Sequence, residues 1–272
     1  MINPIGSNGT GLGLRTLDSN REAQARSLQQ LSSGKRINSA ADDVAASAIV
    51  EQFAAQIVGS NQAARNLNDG ISQAQVAEGA LSSVTDNTLR IRELTVQAGN
   101  STLSAQDRQA IQEEVSALGQ ANASTLSQAS FNGQSLFDGG SKTFQAGPNA
   151  GDQLSVSFAG VSASALAGSA GGLDLSNAAA ASASLEKIDS DLRSVSGARA
   201  ELGALTNRFE AGINSLRSNA ENLSAARSRM ADTDYAATTA RNAAERIRSE
   251  AGLAVQAQAN ANSRQVLSLL RT

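Results

Sequence analysis

LEKIDSDLRSVSGARAELGALTNRFEAGINSLRSNAENLSAARSRM, residues 185–230, sets apolar side chains at Leu185, Ile188, Leu192, Val195, Ala198, Leu202, Leu205, Phe209, Ile213, Leu216, Ala220, Leu223, Ala226 and Met230. The steps are threes and fours averaging about 3.5, the narrow seam of a helix that pairs with another helix along its length. At ~1.5 Å per residue such a helix runs roughly 70 Å, well beyond the average of about 11–12 residues. No proline interrupts it. Gly197, Gly203 and Gly212 each destabilise it by about 1 kcal/mol relative to Ala. A helix carrying three such losses needs partners along it, from the same chain or from other copies.

The rest of the sequence supplies them. A helical pattern starts at Leu14 and Leu17, continues through Leu28 and Leu31, and stops at Ser32-Ser33-Gly34. Asn38 and Ser39 offer N-caps for a second, very long helix from about Ala40 to Ala98. Asp42 and Asp43 then fall in its first turn, where carboxylates suit the positive end of the helix dipole. Its seam includes Val44, Ile49, Phe53, Ile57, Ala64, Leu67, Ile71, Ala74, Ala77, Leu81, Val84, Thr88, Ile91 and Leu94. Asn68-Asp69-Gly70 is a turn signal, yet the seam passes through it in register, which favours continuity. After a break at Gly99–Leu103, Ser104 and Asp107 cap a helix that ends before Phe131-Asn132-Gly133.

Residues 131–177 abandon the helical period. Lys142–Gln145 and Gln153–Phe158 read as two short strands around the turn signal at residues 146–151, and a Ser-, Gly- and Ala-rich stretch follows. The long helix begins near Ser176-Asn177, Asp232-Thr233-Asp234 breaks the chain, and a last helix spans about Tyr235 to Leu270. The seam of that helix is Ala240, Ala244, Ile247, Ala251 and Ala254, closing on Val266, Leu267, Leu269 and Leu270. The order is nearly palindromic: short helix, long helix, hairpin, long helix, short helix. The expected class is therefore all-α, a long antiparallel coiled-coil helical rod with a small β-hairpin.

Composition narrows the function. The 272 residues hold no cysteine and no histidine, which removes disulfides, Ser–His–Asp and Cys–His catalysis and the usual zinc sites. Aromatics are only 3%, so burial must come from many small contacts along extended seams. A net charge of −3 gives no electrostatic reason to bind nucleic acid or an anionic membrane. No apolar run reaches the ~18 residues of a membrane span, and the first 20 residues lack the pattern of a cleaved secretion signal. Gly9, Gly11 and Gly13 follow no strand and do not make a phosphate loop. Ser32 and Lys35 match S-x-x-K only by chance in a Ser-rich helix end. Glu113 and Glu114 diverge by about 100° on a helix, so they cannot converge on one atom. Asp232 and Asp234 suit a cap better than a metal. No enzyme activity and no cofactor is expected.

Several blocks are more specific. LSSGKRINSAADDVAASAI (31–49), RNLNDGISQAQVAEGAL (65–81) and RIRELTVQAGNST (90–102) closely resemble bacterial flagellin N-termini. LGALTNRFEAGINSL (202–216), NLSAARSRMADTDYA (222–236) and QANANSRQVLSLLR (258–271) resemble the flagellin C-terminal signature, in the right order. The resemblance implies a structural subunit of the bacterial flagellar filament, self-assembling into a helical tube for motility. It implies terminal helices, 1–40 and 238–272, that are disordered in the monomer and build an inner coiled-coil tube, through Leu14, Leu17, Leu28, Leu31, Ile247, Val266, Leu267, Leu269 and Leu270. A helical rod, 41–130 and 178–237, would be held by Ile71, Leu81, Val84, Ile91, Leu202, Leu205, Phe209, Ile213, Leu216 and Leu223, with 131–177 as hairpin and loop. The middle is too short for the large outer domains of longer flagellins.

The same resemblance implies type III export to an extracellular flagellum, and as partners an export chaperone, a filament cap and hook-junction proteins. It also implies a host Toll-like receptor contact at Arg90, Leu94 and Glu114, although Leu89 stands where receptor-activating flagellins usually carry Gln. The alternatives are a hook–filament junction subunit, which would match these blocks more weakly, and a minor flagellin with an adhesive surface role. Enzymatic flagellins carry a large insert with metal-binding His, and this chain has neither.

Overall fold

A computed structural model describes residues 7–157 and 161–269. Phe158 and Leu270 lie outside the described residues, as do the side chains of Val266, Leu267 and Leu269. The described residues form α1 (Ser7–Ser33), α2 (Val44–Ala98), α3 (Ala105–Gln128), β1 (Ser130–Phe131), β2 (Gln134–Ser135), β3 (Ser141–Gln145), β4 (Gln153–Ser157), α4 (Ala178–Ala231) and α5 (Tyr235–Leu269). The class is all-α with two small antiparallel strand pairs. By contacts the chain divides into two compact units, Gln56–Glu221 and Met1–Ala55 with Asn222–Thr272.

Within Gln56–Glu221, α2 passes through Asn68-Asp69-Gly70 unbroken, because the Asn68 amide donates back to the Ala64 carbonyl (2.7 Å) and leaves the ladder intact. Gly70 is there for packing. A β-carbon on it would lie 2.8 Å from the Phe209 ring of α4. The pairs Gly70–Phe209, Glu78–Arg199 and Arg92–Asp189 fix α2 antiparallel to α4. Their facing seams bury Leu67, Ala74, Ala77, Leu81, Val84 and Ile91 on α2, and Ile188, Val195, Leu202, Leu205, Phe209, Ile213 and Leu216 on α4. The seam position between Leu67 and Ala74 is Gly70, and Ile71 is only half-buried beside it. Of the three α4 glycines, Gly212 alone is used for close approach, with Leu67 Cδ1 3.0 Å from its missing β-carbon.

α3 starts with a complete capping box: Asp107 N–H donates to Ser104 Oγ (3.1 Å) while Ser104 N–H donates to the Asp107 carboxylate (3.2 Å). Asn132 and Gly133, with φ of 50° and 76°, turn β1 into β2. This hairpin was not foreseen, although Asn-Gly is the strongest short-range hairpin signal. The longer hairpin β3–β4 docks through Phe144, whose ring meets Phe209 edge-on at 5.3 Å, and through Pro148, which rests on Gly59. Leu154 and Val156 turn toward the same core.

Residues 161–177 read as a low-complexity loop, and here the structure differs. Val161, Leu166, Leu173 and Leu175 are all buried. The Asp191 carboxylate of α4 accepts the N–H groups of Ala167 (3.0 Å) and Gly168 (2.7 Å), and Gln112 of α3 bonds the backbone of both Leu173 and Leu175. Four apolar side chains and a buried carboxylate outweigh the Ser/Gly composition.

In the other unit, α1 begins at Ser7, earlier than the apolar pattern, and ends at Gly34 with φ of 67°. The start of α2 is also corrected. It is Val44, not Ala40, and Asp43 is the cap, accepting the Ala46 N–H at 2.9 Å. Asn38 and Ser39 do not cap it, because the Asp42 carboxylate captures both of their N–H groups in a separate turn (3.0 and 2.9 Å). Those two N–H groups, Ser39 first, hold the Asp42 carboxyl below its ordinary range. The break at 232–234 stands as read, with Asp234 accepting the Ala237 N–H at the start of α5.

Glycine substitutions separate packing from tolerance. A β-carbon at Gly119 would run into the Gly168 carbonyl, so Gly119→Ala should lower unfolding stability by about 1–3 kcal/mol despite better helix propensity. Gly203, with nothing within 4 Å, should instead gain about 1 kcal/mol as Ala. Urea unfolding of the two variants checks the contrast.

Candidate assembly surfaces

α1 and α5 form an antiparallel pair whose inner face is polar. Leu17 Cδ1 sits 2.8 Å from the missing β-carbon of Gly252, and Gln256 Oε1 3.1 Å from that of Gly13. Ser27 Oγ donates to the Glu245 carboxylate (2.7 Å) and accepts from Asn242 Nδ2 (3.0 Å). The turned-in residues of α5 are Thr238, Asn242, Glu245, Ser249, Gly252 and Gln256, again spaced by threes and fours.

The alanine-rich seam of α5 does not face α1: Ala240, Ala251 and Ala254 are exposed, Ala244 is half-buried and Ile247 is 67% exposed. Both helices thus turn apolar side chains outward, with Leu14, Leu28, Leu253 and Val255 also exposed. Among the described leucine, isoleucine and valine side chains of the pair, only Leu17 is buried, and Leu31 is half-buried. Periodicity finds an apolar stripe but not which stripe meets the partner within the chain.

The segment after α1 has a definite task. Arg36 N–H donates to the Ala231 carbonyl (2.7 Å) and its guanidinium to the Met230 carbonyl (2.6 Å), closing the C-terminal end of α4. The backbones of Lys35 and Asp232 pair as an isolated antiparallel β-bridge. Of the expected rod residues, Leu81, Val84, Ile91, Leu202, Leu205, Phe209, Ile213 and Leu216 lie in the core of Gln56–Glu221, and Leu223, half-buried, lies in the other unit.

Arg90 and Glu114 come together at 3.2 Å, and Arg90 also pairs with Glu93 at 2.6 Å. The Glu93 and then the Glu114 carboxylate raise the Arg90 pKa above its ordinary value. Leu94 does not join them at the surface. It is 3% exposed and packs with Ile91, Ile111 and Val115, while Leu89 and Val96 are the exposed apolar neighbours.

Two polar core residues escaped the sequence reading. Arg108 is buried and donates to the carbonyls of Ala98 and Asn100, closing the end of α2. Asp191 is buried, and burial pushes its carboxyl above the ordinary range against the pull of its two N–H donors. A charge at a seam position, between Ile188 and Val195, was the available signal for Asp191.

Residues 12–142 match the bacterial flagellin N-terminal helical region, and residues 185–270 the bacterial flagellin C-terminal helical region. The chain belongs to the flagellin family. It is 39% identical to the flagellin of Bacillus subtilis (strain 168), over 95% of this chain and 96% of that protein. It is 37% identical to the flagellar filament 31.3 kDa core protein of Treponema maltophilum, over 94% of this chain and 96% of that one. The crystal structure of Bacillus cereus flagellin aligns with a TM-score of 0.51 at 27% identity, covering 60% of this chain and 94% of that one. A putative flagellar hook-associated protein from Vibrio parahaemolyticus shares the fold, at TM-score 0.55 and 17% identity over 70% of this chain and 99% of that one.

This flagellin is a short form without a large outer domain, a structural subunit of the bacterial flagellar filament. Among its described residues no helix is long and apolar enough to cross a membrane.

Core and surface members of the Arg90 patch should behave differently. Leu94→Ala should lower stability by about 2–5 kcal/mol, as buried leucine truncations do. Arg90→Ala, at an exposed ion pair, should leave the melting temperature nearly unchanged. Thermal melts followed by circular dichroism test both.

Proposed function

We propose that the subunit polymerises through the outward faces of α1 and α5, which become ordered on assembly and build the inner tube of the filament. The observation that carries this is the set of exposed apolar side chains, Leu14 and Leu28 on α1 and Ile247, Leu253 and Val255 on α5. The polar face between the helices buries little apolar area. That is too little to offset the ~1–2 kcal/mol per residue needed to order a backbone. A second copy supplies the missing apolar cover. Contacts of this kind join one surface to a different surface of the next subunit, so growth is open-ended.

The residue blocks shared with flagellins support the remaining parts of the reading. The chain travels uncleaved through the flagellar type III apparatus to an extracellular filament, meeting an export chaperone, the filament cap and hook-junction proteins. Its task is mechanical, and no catalytic step or cofactor enters it. Host recognition is incidental: a Toll-like receptor would meet Arg90 and Glu114 on the monomer, with Leu89 and Val96 as apolar neighbours in place of the buried Leu94.

Two outcomes are expected. Ile247→Asp with Val255→Asp should leave the melting of the monomer within about 0.5 kcal/mol, since both side chains are exposed, yet abolish filaments in electron micrographs. Normal filaments from that variant would overturn the proposed surface. Brief proteolysis of monomer should remove roughly residues 1–40 and 238–272, leaving a helical fragment that does not polymerise.

A further inference from the structure

The inner face of the α1–α5 pair is unusual for a coiled coil. The inward positions of α1, Gly13, Leu17, Asn20, Gln24, Ser27 and Leu31, meet those of α5 in one antiparallel alignment. Three contacts fix that alignment: Gly13 with Gln256, Leu17 with Gly252, and Ser27 with Asn242. Each pair is offset from the next by the same count along both helices, so the remaining inward residues fall level as Asn20 with Ser249, Gln24 with Glu245 and Leu31 with Thr238.

A seam of small and polar residues specifies register poorly by shape alone, because its neighbours one heptad away are also small and polar. We propose that the cluster of Ser27, Asn242 and Glu245, with Ser27 and Asn242 buried and Glu245 half-buried, is a register lock for the terminal helix pair, holding α1 and α5 in the one observed alignment. The inference rests on the reading of this pair as the assembling part of the chain.

The discriminating group is the Glu245 carboxylate. In the observed alignment it accepts the Ser27 hydroxyl at 2.7 Å, and the Ser27 oxygen is filled on its other side by Asn242. Slide α5 by seven residues, ~10 Å along the axis, and Glu245 falls level with Leu31 in one direction or with Leu17 in the other. Either slip sets a carboxylate against a leucine and leaves the Ser27–Asn242 pair unmade. The same slips withdraw Leu17 from the space at Gly252. The native alignment is the one in which the buried Leu17 meets a glycine and the carboxylate meets a hydroxyl. Apolar residues in those three places would bind more tightly and choose less well, as a polar residue at a coiled-coil seam trades stability for register.

The chain has no cysteine, so introduced pairs report alignment cleanly. Asn20→Cys with Ser249→Cys reads the observed register. Gln24→Cys with Thr238→Cys, and Asn20→Cys with Gln256→Cys, read a one-heptad slip in each direction. A disulfide needs Cα atoms within about 7 Å, so a pair out of register cannot close. Assembled filaments are oxidised and the remaining free thiols alkylated, so that a band at monomer mass lacking both labels marks closure within one chain.

In the parent only the first pair should close. With Ser27→Leu, Asn242→Leu and Glu245→Leu added, the slipped pairs should close about tenfold or more above the parent level, the rise expected once a half-buried carboxylate set against a leucine no longer opposes them. If that triple variant does not assemble, the Ser27→Ala, Asn242→Ala, Glu245→Ala version gives the same reading with less added bulk. Slipped pairs that stay open in both backgrounds overturn the lock. Failure of the unsubstituted chain to form filaments overturns the assembly reading instead, and the same cross-links on the soluble chain then decide the register.

Discussion

Phe209 over Gly70 is the contact on which the body of residues 56–221 depends. The ring fills the space that a side chain on α2 would occupy, takes the edge of Phe144 from the β3–β4 hairpin, and so joins two helices and a strand pair at one point. With only 3% aromatic residues, the chain has few large side chains to spend on its core. It compensates with close approach: Gly59 under Pro148, Gly212 under Leu67, Gly119 under the Gly168 carbonyl. Small residues let helices approach, and the larger partner fills what they leave.

The terminal pair applies the same spacing with opposite chemistry. Where α2 and α4 face each other with Leu, Val and Ile, α1 and α5 face each other with Ser, Asn, Glu and Gln. The first arrangement is strong within one chain. The second is weak and selective, and it leaves leucine, isoleucine and valine outside.

Polar groups inside the larger body are structural clamps. Arg108 closes the C-terminal end of α2 by donating to two carbonyls, Asp191 grips two amides of the 161–177 segment, and Gln112 holds two more backbone groups of it. Each buried charge meets backbone dipoles that are otherwise orphaned at a helix end or in a loop, which is what makes its burial tolerable. The outcome is a segment rich in Ser and Gly that is nonetheless held at several points.

The sequence by itself determined the class, the order of the elements, the capping box at Ser104, the continuity of α2 through Asn68-Asp69-Gly70 and the family. Periodicity over dozens of residues and ordered multi-residue blocks survive any local ambiguity. It did not show that α5 meets α1 through Thr238, Asn242, Glu245, Ser249, Gly252 and Gln256, since small and polar residues at that spacing give no hydrophobic signal. It placed Leu94 both in the α2 seam and, by resemblance, in a surface patch, and the packing of Leu94 against Ile91, Ile111 and Val115 decided for the core. It set the start of α2 four residues early, as Asp42 competes for the amides that a cap would use. The start of α2 turns on a local competition between neighbouring carboxylates, whereas the inward face of α5 and the burial of Leu94 were decided by tertiary packing, because hydrophobic period alone does not say which surface finds a partner within the chain.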